Sequence, residues 1–154
     1  MVIALLSLVA LLVFPRLPAT EAAELRGSAR SLAALLRYLG ERSVTAKSHY
    51  LVRLDLAAET VTVLQRSAGG EDLPPDDPFL RRRFLAEGVT LAEVETASLG
   101  RLGEGEVTVH YGPGGLAEYL AVRLVGKKGE RFTVAAYPQG GKVTIAAEEG
   151  EARP

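Results

Sequence analysis

The apolar residues of this chain change period once, near His49, and that change constrains the fold to a helix followed by antiparallel strands. Leu25, Ala29, Leu32, Leu36 and Leu39 follow one another at intervals of four, three, four and three, which places them on one stripe of a helix. Arg26, Arg30, Arg37 and Glu41 fall on its other faces. The helix is predicted over about Thr20 to Ala46, with Thr20 as N-cap and Glu21 and Glu24 in the first turn, where the dipole favours acids. Gly27 and Gly40 weaken it.

Beyond His49 the period is two. In LVRLDL, Val52, Leu54 and Leu56 point one way while Arg53 and Asp55 point the other. The alternation continues through Val61 and Val63, then Val107, Val109 and Tyr111, then Leu120, Val122 and Leu124. Phe132, Val134 and Ala136, followed by Val143 and Ile145, complete it. GPGG at 112–115, GKKG at 126–129 and PQGG at 138–141 mark the turns. Residues 66–90 break the pattern and read as an excursion, with a short helical turn around Phe79 to Leu85. The expected class is α+β: a long N-terminal helix whose second half packs on a small antiparallel β domain.

What precedes the helix is a run of fourteen residues, MVIALLSLVALLVF, with no charge and with Ser7 alone polar. A secretory signal wants basic residues in front, and none is present. A complete membrane span needs about 20 apolar residues, and the run falls short. With no polar face it suits lipid or a helical bundle. Joined through Pro15 to the amphipathic segment, it would make a rod roughly 65 Å long. One small domain cannot bury such a rod, so its first part should project. Val2, Ile3, Leu5, Leu6, Leu8, Val9, Leu11, Leu12, Val13, Phe14, Pro15 and Leu25 are therefore the expected membrane and assembly residues. Leu32, Leu36 and Leu39 are expected under the β domain. The chain divides at 1–18 (apolar helix), 19–48 (amphipathic continuation), 49–148 (β domain with the 66–90 excursion) and 149–154 (acidic tail).

Little here points to chemistry. Net charge is -1 and cysteine is absent, which removes a global basic field, disulfides and thiolate sites. The two histidines, His49 and His110, are read on strands in surface or packing roles, with His110 outward. The Gly-rich turns lack a P-loop Lys and a strand–GxGxxG–helix context. Arg81, Arg82 and Arg83 could grip phosphate or an acidic partner, against the reading of a solvated charge run beside Phe79 and Phe84. No catalytic arrangement, cofactor or metal is expected.

An apolar helix, a proline, an amphipathic continuation and a small β domain, in that order, are similar to type IV pilins and type II secretion pseudopilins. SARSLAALLRYLGERSVTAKSHYLVRLDLAAETVTV resembles the helix-to-first-hairpin segment of minor pseudopilins of the H type, grouped with FimT-like minor pilins. VTVHYGPGGLAEYLAVRLVGKKGERFTVAAYPQGGKVTI resembles that family's C-terminal half. The likeness covers most of the chain except residues about 66–90. It implies a structural subunit of a short periplasmic fibre, held by its helix among the major pseudopilin and the minor tip subunits. It also implies a single pass through the inner membrane, with the β domain in the periplasm, and processing by a prepilin peptidase with methylation. The family's basic leader, Gly cleavage site, aromatic first residue and following Glu are absent. Roughly six or seven residues of span are thus expected upstream in frame. Major pseudopilins bind calcium in a loop, but Glu71, Asp72, Asp76 and Asp77 around two prolines have no ligand-loop spacing. The alternative is a FimT-like minor pilin that captures DNA. That would need a basic surface, whereas the chain is near neutral and ends in AAEEGEARP.

Overall fold

The computed structural model describes residues 16–148, with side chains from 23 to 147. Helix α1 runs Arg16–Thr45 and is 30 residues long, about 45 Å at 1.5 Å per residue. Thr20 therefore lies inside the helix and is not its cap, and no acid occupies the first turn. Pro18 is tolerated there because the first N–H groups of a helix need no intrahelical acceptor. At the other end, Lys47 takes the left-handed φ of 52°, and Ser48 N–H donates to the Ser43 carbonyl at 3.1 Å. This closes the helix in the Schellman manner and aims the chain into the first strand.

The strands are β1 Tyr50–Asp55, β2 Thr60–Arg66, β3 Asp72–Leu73, β4 Thr90–Thr96, β5 Gly100–Leu102, β6 Glu106–Gly112, β7 Gly115–Leu116, β8 Leu120–Val125, β9 Arg131–Ala136 and β10 Val143–Glu148. A short helix, α2, spans Pro78–Arg81. The expected β domain is two antiparallel sheets of five strands, ordered β3-β2-β1-β6-β7 and β10-β9-β8-β4-β5. In the first sheet Val52 faces Val63 and Val109, and Leu54 faces Val61 and Val107. In the second, Val122 faces Val94 and Val134. Strand β4 had no period-two signature because its register shifts between Leu91 and Glu93. The bulge puts Leu91 and Val94, three residues apart, on the same buried face.

Both sheets close over α1. Leu25, Ala29, Leu32, Ala33, Leu35, Leu36 and Leu39 are each at most 1% exposed. Leu25 thus needs correction: expected to meet neighbouring subunits, it belongs to the domain's own core. The turn after β8 reaches up to it, with Leu25 Cδ2 3.2 Å from where a β-carbon on Gly126 would stand. Helix-to-sheet packing begins there. The 66–90 segment also contributes to the core through Leu80, Phe84, Leu85 and Val89. Its helical turn ends at Arg81, since Arg82 is extended.

Candidate assembly surface and neighbouring sites

With one stripe of α1 consumed by the sheets, the opposite stripe is what the fold leaves for a partner. Arg26, Arg30, Ala34, Arg37 and Glu41 recur at intervals of four, four, three and four and are exposed. Ala23 and Gly27 extend the same side towards the N-terminus, also exposed. Nothing lies within 4 Å of the point where a Gly27 β-carbon would be. The domain's own packing therefore gives no reason for a residue that weakens a helix interior by about 1 kcal/mol. Small residues let a second backbone approach closely, and the flanking arginines favour acidic groups on whatever approaches. Arg37 is partly engaged, donating from Nη2 to the Val143 carbonyl at 3.2 Å.

The apolar residues Val2 to Phe14 and Pro15 lie outside the described residues. Among the described residues no helix is long and apolar enough to cross a membrane.

The three consecutive arginines do not form one patch. Arg81 Nε donates to the Pro75 carbonyl at 2.6 Å, and its Nη2 to that of Asp76 at 3.4 Å. Arg82 lies over the Phe79 ring, 5.5 Å from its centre, and Arg83 Nε donates to the Leu85 carbonyl at 3.0 Å. Arg81 and Arg82 border a depression beside Val61 and Leu80, whereas Arg83 borders two others, one with Ser28 and Phe84 and one with Glu59 and Val61. All of these hydrogen-bond and ring contacts fall within the 66–90 segment itself.

Two of the four acids, Asp72 and Asp77, are likewise engaged. Asp72 pairs with Arg66 at 3.0 Å. Asp77 caps α2, accepting from Phe79 N–H at 2.9 Å, and also accepts from the Tyr38 hydroxyl of α1. Those two bonds, Tyr38's first, hold its carboxyl below the ordinary carboxylate value. Ser28 Oγ accepts from Ala86 N–H at 2.8 Å, so the segment is tied to the long helix at two places. Among the described residues no group of three His, Cys, Asp or Glu could hold a metal ion.

Two arrangements had no sequence signal. Tyr111 is buried at 1% exposure, yet its hydroxyl has no hydrogen-bond partner, and burial pushes its phenol well above the ordinary value. It borders a cavity of about 220 Å³ between Leu36, Gly40 and the Gly114–Gly115 and Gly140–Gly141 turns. His49 stands just ahead of β1, not on a strand, and meets His110 of β6. Only the pairing of β1 with β6 brings these two together.

No family model matches the sequence, and no curated protein matches it. The fold, however, is found in solved structures. A structure of the minor pseudopilin EpsH from the Type 2 Secretion System of Vibrio cholerae superposes with a TM-score of 0.62 at 20% identity, covering 80% of this chain and 97% of that one. A crystal structure of the same pseudopilin gives 0.67 at 20% identity, covering 84% and 98%. The fold is therefore the pilin-like α+β arrangement seen in that minor pseudopilin.

Proposed function

We propose that this chain is a structural minor subunit of the pseudopilus of a type II secretion system, incorporated through α1 and the apolar residues ahead of it. The observation that carries the reading is the shared pilin-like fold, in which one stripe of a long helix is sealed by two sheets and the other is open. A helix with two such stripes satisfies one within its own domain and the other against neighbours. Repeated head-to-tail contacts that do not close into a ring build a filament. Residues Val2 to Pro15 would anchor the subunit in the inner membrane, leaving the β domain in the periplasm. The partners are the other pseudopilins, with a prepilin peptidase acting on the full N-terminus. No residue here performs a reaction; the work is mechanical.

DNA capture is the weaker reading, since Arg81, Arg82 and Arg83 are spent on local carbonyls and the Phe79 ring. The test is deletion of the gene in its host, with secretion of folded exoproteins and uptake of DNA measured side by side. Loss of secretion, restored by the wild-type chain and not by Gly27→Leu/Ala34→Leu, supports the proposal. Intact secretion with lost transformation overturns it.

A further inference from the structure

We propose that His49 and His110 form a two-imidazole chelate for a late first-row divalent cation such as Zn²⁺, Ni²⁺ or Cu²⁺. Extending the Tyr50–Tyr111 register by one residue sets His49 opposite Gly112, diagonal to His110 on the outer face of the first sheet. The His49 Nδ1 and His110 Nε2 atoms stand 3.2 Å apart. Their rings are inclined by only 17°, with centres 5.2 Å apart. Two nitrogens bound at 2.0–2.1 Å to a tetrahedral zinc stand about 3.3–3.4 Å apart, and about 2.8–3.0 Å apart at a right angle. The observed separation lies between these; the nitrogens face each other across a hydrogen bond, and both rings turn for their lone pairs to converge on one ion.

Two features prepare the pair. Both backbones are pinned: the His49 carbonyl accepts from Arg66 N–H at 2.9 Å and the His110 carbonyl from Ala117 N–H at 3.0 Å. Gly112 leaves the approach open, because a β-carbon there would lie 3.5 Å from the same His49 Nδ1. The Arg66 charge nearby is offset by Asp72. In the free protein the facing nitrogens are hydrogen-bonded, with the donor set by the tautomer. On binding, each neutral ring carries its proton on the far nitrogen, His49 Nε2 and His110 Nδ1. Imidazole selects late transition metals over calcium or magnesium, and water would fill the remaining positions.

The full chain in mild detergent contains only these two histidines, so its imidazole Cε1–H region in the proton NMR spectrum should hold two signals. Titration with ZnCl₂ should move both together along one saturable curve, while CaCl₂ moves neither. His49→Gln and His110→Gln should each weaken binding by about tenfold or more, at least the loss seen for an outer-shell partner. Gly112→Ala should weaken it with both ligands intact. A response from one imidazole alone, equal effects of calcium, or unchanged affinity in either single His variant overturns the site. Because the wild-type spectrum already decides the matter, a variant that fails to fold does not rescue it.

Discussion

Leu25 is packed against Gly126, with its Cδ2 3.2 Å from the place a β-carbon would take. The contact joins the third turn of the long helix to the tip of the β8–β9 hairpin. Leu25 is thus as much a core residue as Leu36, each being 1% exposed. Leu25→Asp and Leu36→Asp should both unfold the domain by burying an unpaired charge. Leu25→Ala should cost about 2–5 kcal/mol in urea unfolding of the detergent-solubilised chain. A Leu25→Asp chain that keeps wild-type stability would refute this packing.

Asp77 links the 66–90 segment to the long helix, and its ionisation should set an acid limit on that link. Its folded-state pKa is depressed by the Tyr38 hydroxyl and then the Phe79 N–H. Its contribution is present above the unfolded carboxylate value and is lost as pH falls through the folded one. Asp77→Ala should cost about 1 kcal/mol as a lost cap. Asp77→Asn should flatten the pH dependence of proteolysis within residues 66–78, which in the wild type rises on acidification. An identical pH profile in both chains would exclude this role.

The Tyr111 hydroxyl is desolvated without an acceptor or donor. An unmatched buried polar group costs about 1–3 kcal/mol. Tyr111→Phe should accordingly be neutral or raise the unfolding midpoint. Loss of more than about 1 kcal/mol would reveal a hydrogen bond that matters.

The arginines at 81–83 should affect shape more than binding. Arg81→Ala frees the Pro75 and Asp76 carbonyls and should loosen the 66–90 segment, measured by hydrogen exchange. The chain should bind duplex DNA no better than non-specific levels, about 10⁻⁴–10⁻⁶ M at physiological salt. Sub-micromolar binding that falls steeply with salt, and is abolished by replacing all three arginines with Ala, would favour DNA capture instead.

What was legible in the sequence were the elements whose apolar residues keep strict time. The helix stripe and the alternation of β1, β2, β6, β8 and β9 show in composition because each buries one face on one core. Leu91 and Val94 were illegible, as a bulge replaces the period of two with a spacing of three. The start of α1 was missed because Thr20 has the chemistry of an N-cap, although the helix begins at Arg16 and its first turn accepts Pro18. Leu25 was assigned to the wrong surface, since periodicity shows which residues share a stripe but not how far a distant turn reaches along it. The open helix face had a weaker trace: Gly27 looked like a defect and is, in the fold, a residue with empty space above it. The His49–His110 pair left no trace, as its members are 61 positions apart and meet through a strand crossing.

That crossing also dictates an order of events. Strand β1 can pair with β2 as soon as the hairpin is made, yet its other edge waits for β6, with the β4–β5 hairpin of the second sheet lying between. Long-range pairing of this kind slows folding, because chain entropy is lost before contacts repay it. A chain that forms β1 before β6 is available would therefore hold an exposed, aggregation-prone strand edge until residue 112 had been made. The long helix would meanwhile have only half its seat.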